Sequence, residues 1–321
     1  MLKLHNLTKK YTIKKNLLGQ SKKSFYAVDG VNLAFPLNRT TGIVGESGSG
    51  KSTLAKLLVG LISPTQGHFE YGNMLSNTMK STDWKHYRKE VQMVFQDPYG
   101  SLNPRMKIQK ILEEPLIIHK NDLLLSTQQR KSMVKEALAS VGLGPEAMEK
   151  FPHEFSGGQR QRIGIARALI LKPKVIILDE PISALDVSIQ AQVMNLLHEI
   201  KEKYGITYLF IAHDLGVVGH ISDVIAVMYF GKIVEFGETK KIFSKPRHPY
   251  TKMLLDAMPR IGKKIDVAKS IKGELPSPSE WIDGCPFMGR CNYKIEECEN
   301  SYPDRTTEKG DSFFHCFNPI K

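Results

Sequence analysis

Gly45-Glu46-Ser47-Gly48-Ser49-Gly50-Lys51-Ser52 decides the fold of this 321-residue chain. The stretch fits G-x-x-x-x-G-K-[ST], and its flanks supply the context that the pattern needs. Before it, Thr41 to Val44 predicts a strand. After it, Leu54, Leu57, Leu58 and Leu61 recur at i, i+3, i+4 and i+7 and predict a helix. Glycines let backbone N–H groups converge on phosphate oxygens, and the helix N-terminus adds a favourable dipole. Lys51 would neutralise the β- and γ-phosphates, and the Ser52 hydroxyl would ligate Mg²⁺.

Further strands follow. Val175-Ile176-Ile177-Leu178 is an unbroken apolar run, as expected of a strand buried on both faces, and Thr207 to Ala212 is similar. Asp179 ends the first run, where a buried strand delivers a side chain to a crevice, and suits Mg²⁺ binding. Glu180 comes next as the group that orients or deprotonates an attacking water. Val224–Tyr229 and Lys232–Phe236, separated by Phe230-Gly231, predict a hairpin. The middle, from about Asp97 to Phe155, predicts mostly helix. There Ser126-Thr127-Gln128-Gln129 has the capping-box pattern, and Met133, Val134, Ala137, Leu138 and Val141 form a stripe that Gly142 stops.

Phe155-Ser156-Gly157-Gly158-Gln159-Arg160-Gln161-Arg162 opens another amphipathic helix. Ser and two Gly at a helix N-terminus make a second anion site. One chain with two phosphate sites needs either two nucleotides or a partner.

Composition bounds the rest. With 41% apolar and 24% charged residues, the chain is that of an ordinary globular protein. No run of about 18 apolar residues lacks charge, and the N-terminus lacks a signal-peptide core, so a cytosolic location is expected. The net charge is +12. Seven lysines fall between Lys3 and Lys23, no acidic residue precedes Asp29, and the stretch 14–23 is expected to be a loop between strands Leu2–Leu7 and Ala27–Phe35. Four cysteines (Cys285, Cys291, Cys298, Cys316) occupy the last 37 residues in the pattern C-x₅-C-x₆-C-x₁₇-C. The gaps are long for a Cys₄ zinc site and miss standard ferredoxin spacings, leaving some metal or four buried thiols. After about Ile261 a small separate appendix is expected.

At this point the sequence resembles the ATP-binding cassette (ABC) transporter ATPases. Walker A at Gly45–Ser52, the Q-loop Gln96, the signature Ser156–Gln159, Walker B ending at Asp179, Glu180, the D-loop Ser183-Ala184-Leu185-Asp186 and the switch His213 occur in the family's order. The signature starts with Phe155 where Leu is commoner. The resemblance extends to the oligopeptide/dipeptide (peptide/nickel) importer branch and to the F-type member of its ATPase pair. It is carried by Gln92-Met93-Val94-Phe95-Gln96-Asp97-Pro98-Tyr99, Ser101-Leu102-Asn103-Pro104-Arg105, Pro152-His153-Glu154-Phe155-Ser156, His248-Pro249-Tyr250-Thr251, Gly284-Cys285-Pro286-Phe287 and Arg290-Cys291.

The resemblance implies an α/β fold: a P-loop NTPase (RecA-like) core with an N-terminal antiparallel sheet, a helical subdomain and a small cysteine-rich C-terminal domain. Residues 1–262 would form the ATPase domain, with the helical subdomain at about 97–165, and 263–321 an iron–sulfur-binding domain. ATP would be held by Tyr11 on adenine (Tyr26 is its rival), by Gly45, Glu46, Ser47, Gly48, Ser49, Gly50, Lys51, Ser52 and Thr53, and by Gln96, Asp179 and Asp186. Ser156, Gly157, Gly158 and Gln159 would close on the ATP of a second cassette paired head to tail. Catalysis would fall to Glu180, His213, Gln96 and Lys51, with Mg²⁺ on Ser52, Gln96 and Asp179. Cys285, Cys291, Cys298 and Cys316 would bind a [4Fe–4S] cluster, with zinc as the alternative. The implied partners are a second ABC ATPase in a heterodimer, two permeases that residues 97–105 would contact, and indirectly an extracytoplasmic solute-binding protein, at the cytoplasmic face of the membrane. Uptake of oligopeptides or dipeptides is the implied function. Alternatives are nickel or metallophore import, or a non-transport ABC ATPase on nucleic acid; the clustering of the lysines in one stretch argues against nucleic acid as a partner.

Overall fold

In the computed structural model the described residues are 1–15, 21–258 and 284–321. In chain order the strands are β1 (Leu2–Lys15), β2 (Ser21–Phe35), β3 (Thr40–Val44), β4 (Gln66–Tyr71), β5 (Met74–Leu75), β6 (Val91–Val94), β7 (Val175–Asp179), β8 (Thr207–Ala212), β9 (Val224–Tyr229), β10 (Lys232–Glu238), β11 (Thr306–Thr307) and β12 (Phe313–Phe314). The helices are α1 (Lys51–Leu58), α2 (Ser81–Glu90), α3 (Ile108–Ile118), α4 (Lys120–Leu123), α5 (Thr127–Ser140), α6 (Gly157–Leu169), α7 (Val187–Tyr204), α8 (Leu215–Ile221), α9 (Thr239–Ser244), α10 (Pro249–Asp256) and α11 (Glu297–Asn300). They fall into two compact units: residues 1–36, 40–77 and 211–321, and residues 37–39 and 78–210. None of the described helices is long and apolar enough to cross a membrane.

The first unit carries an antiparallel sheet in the order β2-β1-β4-β5 and a second sheet section in the order β11-β12-β10-β9-β3. In the antiparallel sheet Leu2, Leu4, Leu7, Val28, Val31, Leu33 and Phe69 turn inward, while polar neighbours alternate outward. The lysine-rich stretch differs from the loop expected for 14–23. Strand β1 runs on to Lys15 and β2 begins at Ser21, with Lys10 opposite Tyr26 and Lys14 opposite Lys23; residues 16–20 lie outside the described residues. Backbone pairing along a long ribbon carries these lysines into strands that their polarity alone does not suggest. Several are engaged near the start: Lys3 pairs with Glu70 at 3.1 Å, and Lys9 donates to the Ser63 carbonyl at 2.7 Å.

Strands β3 and β9 pair in parallel and are buried along their whole length, β9 through an unbroken apolar sequence and β3 with Thr40 and Thr41 buried beside Ile43 and Val44. The expected hairpin is present. Phe230 (φ 47°) and Gly231 (φ 83°) occupy the two left-handed positions of a tight turn between β9 and β10. The C-terminal residues 284–321 do not stand apart, because β12 adds to the free edge of β10, with Phe314 opposite Glu235 and Phe313 opposite Phe236. The expected 262/263 boundary itself lies outside the described residues.

The second unit contains β8-β7-β6 in that order, β6 and β7 parallel with Met93 opposite Ile177. Its helices α3 and α5 pack on each other, and α5 packs on α6. Ser126 caps α5 as its sequence predicts: its Oγ accepts the Gln129 N–H at 3.2 Å while Gln129 Oε1 accepts the Ser126 N–H at 2.8 Å.

In the first unit α10 starts at a buried cap. His248 is 2% exposed, and its Nδ1 accepts the Tyr250 N–H at 3.0 Å. Burial pushes its pKa down to about 3. The unfolded chain therefore binds the proton more readily, and the stability that neutral His248 contributes is lost as pH falls below about 6.5. Between pH 6.5 and 5 the parent should lose up to about 1.4 kcal/mol per pH unit relative to His248→Asn, which caps without titrating. Denaturant titrations at the two pH values test this, and equal slopes would contradict it.

Candidate active site

The first unit presents the glycine loop on a rigid base. Strand β3 leads into it, and α1 leaves it. A Cβ on Gly45 would lie 2.0 Å from the Met228 carbonyl oxygen, and one on Gly50 would lie 2.0 Å from the Ala27 carbonyl oxygen. Glycine is therefore obligatory at both ends, because backbone rests on backbone there. Gly48, by contrast, meets nothing within 4 Å, so the crest of the loop faces open space. The Ser49 carbonyl accepts the Gly231 N–H at 2.9 Å, and the Tyr250 hydroxyl accepts the Glu46 N–H at 2.9 Å.

Lys51 is 4% exposed, and its Nζ donates to the carbonyls of Gly45 (2.7 Å) and Glu46 (2.8 Å) and to Ser49 Oγ (3.4 Å). The ammonium is thus held against the loop. No side chain caps α1, whose N-terminus carries the positive end of the helix dipole. Ser52 and Thr53 follow in the first turn, half-buried. His213, exposed, comes directly after β8, and Asp214 beyond it caps α8 by accepting the Gly216 N–H at 2.7 Å. Tyr11 stacks on Phe25 with centroids 5.6 Å apart beneath Lys9, whereas Tyr26 pairs with Lys10 on the ribbon's other face.

The second unit gathers the remaining groups. Asp179 ends β7 and is 4% exposed. Glu180 follows with φ 47°, a left-handed conformation that a glutamate rarely adopts and that marks stored strain. Gln96, two residues beyond β6, donates from Nε2 to Glu180 Oε2 at 3.0 Å. The Glu180 carbonyl accepts the Ser183 N–H at 3.3 Å and the Ser183 hydroxyl at 3.1 Å, and Gln190 of α7 donates to the carbonyls of Ile182 and Leu185. Residues 180–186 are thereby pinned, with Asp186 exposed at the start of α7.

Ser156 caps α6 reciprocally: its Oγ accepts the Gln159 N–H at 3.3 Å, and Gln159 Oε1 accepts the Ser156 N–H at 3.0 Å. Phe155 is buried beneath them, so an apolar anchor does stand before the signature. Arg160 of α6 donates to the Pro152 carbonyl at 2.7 Å and lies 4.1 Å over the exposed Tyr99 ring, and Arg167 donates to the Ser101 carbonyl. The segment 97–105 is thus tied to the signature helix.

All four cysteines are free thiols in the first unit. Burial, reinforced by the neighbouring thiols, pushes Cys285 up to about 11 and Cys316 up to about 12. Among the described residues no three His, Cys, Asp or Glu side chains gather closely enough to hold one metal ion, so the geometry supports neither the expected [4Fe–4S] cluster nor its zinc alternative. Sequence reasoning took His248–Thr251 and Arg290 as family markers only. Tyr250 and Arg290 in fact reach the glycine loop, a pairing across some 200 residues that no local pattern signals.

Glycine loop, strand-end carboxylates and capped signature helix together define a phosphate-loop ATPase of the cassette type. Residues 28–183 match the ABC transporter model, and residues 234–298 match the model of the oligopeptide/dipeptide transporter C-terminal region. The chain is 45% identical to the oligopeptide transport ATP-binding protein AppF of Bacillus subtilis, covering 98% of this chain and 96% of that one. It is 46% identical to the oligopeptide transport ATP-binding protein OppF of Escherichia coli (94% and 92%) and 44% identical to the dipeptide transport ATP-binding protein DppF of Haemophilus influenzae (99% and 96%). Among solved structures it resembles the dimeric bacterial ABC transporter cassette MJ0796, at 30% identity and TM-score 0.66 over 74% of this chain and 99% of that one. The chain belongs to the ABC transporter family, in its branch of oligopeptide and dipeptide transport ATP-binding proteins, and is an ATP-hydrolysing subunit.

The geometry ranks the loop glycines. Gly45→Ala drives a methyl into the Met228 carbonyl and should cost several kcal/mol of stability together with nucleotide binding. Gly48→Ala meets no neighbour and should cost only about 1–2 kcal/mol for its left-handed backbone. Thermal melts of the two variants check this, and equal losses would contradict it.

Proposed function

We propose that this chain powers uptake of oligopeptides or dipeptides through partner permease subunits at the cytoplasmic face of the membrane. The observation that carries this reading is similarity over nearly the whole chain to peptide-transport ATPases, including the C-terminal region at residues 234–298. Residues 1–262 are the ATPase domain, with the helical subdomain at about 97–165, and 263–321 a C-terminal region whose strand β12 joins the ATPase sheet at β10. Two cassettes pair head to tail, this chain with a second, different ATPase. The exposed Tyr99, tethered with Ser101 to α6, offers a route from permease contact to the signature.

In this reading the loop 45–50 and Lys51 hold the β- and γ-phosphates, Thr53 supports them, and Tyr11 stacks on adenine. Ser52, Gln96 and Asp179 hold Mg²⁺, which when bound supplies the Lewis-acid charge that neutralises the phosphates. Glu180 orients a water for in-line attack on the γ-phosphorus and accepts its proton as the bond to ADP breaks. The hydrogen bond from Gln96 steadies that carboxylate. His213 holds the γ-phosphate in register, Asp186 steadies the interface between cassettes, and Ser156, Gly157, Gly158 and Gln159 close on the partner's ATP. Positioning and electrostatics dominate such transfers.

A strain lacking this chain should fail to grow on a peptide that supplies a required amino acid, yet grow on the free amino acid. The parent chain should restore growth and Glu180→Gln should not. The same variant should bind ATP normally and turn over about two to four orders of magnitude more slowly. A nickel requirement in place of the peptide defect would overturn the substrate assignment, and near-normal turnover in Glu180→Gln would refute its role.

We further propose a [4Fe–4S] cluster on Cys285, Cys291, Cys298 and Cys316, a cube that would space its thiolates more widely than a single ion does. The raised pKa values of Cys285 and Cys316 are relieved when a metal takes the thiolate form. Cys291 Sγ already accepts the Tyr293 N–H at 3.4 Å. Anaerobically purified protein should contain iron and absorb at about 400 nm, and Cys298→Ser should lose both. Iron-free, colourless protein would contradict the cluster.

A further inference from the structure

Glu46 places a carboxylate inside the loop that has to bind a triphosphate. Unneutralised, it would repel the ligand through a poorly screened environment. Its partner comes from 244 residues away. Arg290 Nη1 donates to Glu46 Oε2 at 2.7 Å and Nη2 to Oε1 at 2.9 Å, a parallel pair of charge-assisted bonds. The Arg290 side chain is 6% exposed and that of Glu46 18%, so little water intervenes.

Packing fixes the guanidinium where it stands. Its carbon lies 5.9 Å from the ring centres of both Tyr229 and Phe287, and Nη1 also reaches the Tyr229 hydroxyl at 3.4 Å. Phe287, 2% exposed, wedges edge-on against Tyr229 and Tyr250 at 5.3 and 5.4 Å. Tyr250 in turn accepts the Glu46 N–H. Arg290 ends the short turn Met288–Arg290, whose own N–H groups bond back to Cys285 and Phe287. Side chain and main chain of Glu46 are therefore gripped together by the C-terminal segment.

We propose that Arg290 is a positioning residue for ATP: it cancels the charge of Glu46 and holds the first turn of the phosphate loop in shape for the triphosphate. The proposal rests on the phosphate-loop reading of residues 45–52. It also gives the turn between Cys285 and Cys291 a purpose, since any displacement of that turn would uncover a negative charge in the nucleotide site.

The test is equilibrium titration of the purified full chain with Mg·ATP, with a thermal melt for each variant. Arg290→Met keeps the stem and removes the charge, and should weaken ATP binding about tenfold or more. Glu46→Gln added to Arg290→Met leaves the loop's main chain unaltered, removes only the uncovered carboxylate, and should recover most of the affinity lost in Arg290→Met. Arg290→Lys retains the charge but loses the two-pronged bond, should bind ATP with an affinity between those of the parent and Arg290→Met, and serves as the comparison if Arg290→Met melts too early. In the assembled transporter the KM for ATP should rise in Arg290→Met while turnover at saturating ATP changes less. Parent-like affinity in Arg290→Met, weak binding that Glu46→Gln fails to relieve, or binding in Arg290→Lys no tighter than in Arg290→Met would overturn the proposal. Lys51→Ala separates the two readings, because undiminished ATP binding there would refute the phosphate loop itself, whatever Arg290→Met does.

Discussion

The contact on which the first unit depends is backbone against backbone beneath the glycine loop. Gly45 sits on the Met228 carbonyl and Gly50 on the Ala27 carbonyl, each too close to admit a side chain. The Gly231 N–H bonds to the Ser49 carbonyl, and the Asp29 N–H bonds to the Gly231 carbonyl. The loop therefore rests on the end of β9, the β9–β10 turn and strand β2 together. That base leaves the crest at Gly48 open and lets Lys51 lie back against the Gly45 and Glu46 carbonyls. A phosphate cradle built this way is preorganised, and preorganisation is what a transfer reaction governed by positioning and charge requires.

A second constraint governs the other unit. Glu180 is held at a strained backbone angle directly after a wholly buried strand, with its carboxylate against Gln96 and its carbonyl taken by Ser183. Strain of this kind persists only where the surroundings over-determine it. The buried runs of β6 and β7 and the α7 clamp on residues 182–185 provide that support. Tyr99 and Ser101 are fastened to α6 by Arg160 and Arg167, so segment and signature helix are directly bonded to each other.

Much of this was legible in the sequence because it is local. The strand before the glycine loop, the helix after it, the Phe230-Gly231 hairpin and the capping boxes at Ser126 and Ser156 each follow from a few adjacent residues. The lysine-rich ribbon was not legible, since strand pairing between β1 and β2 overrode a polar composition that reads as loop. Nor was the joining of β12 to β10, or the grip of Tyr250 and Arg290 on Glu46. Those depend on segments far apart in sequence meeting in space, and neither periodicity nor spacing records such a meeting.

Transport itself gives the most direct test of the central claim. The chain, the proposed second ATPase and the permeases would be rebuilt in vesicles with the ATPases outside, together with a solute-binding protein inside and a labelled oligopeptide. The account predicts peptide movement toward the ATPase side only with hydrolysable ATP, and ATP turnover that rises when loaded binding protein is present. Peptide movement indifferent to ATP, or turnover indifferent to the peptide-loaded binding protein, would contradict it.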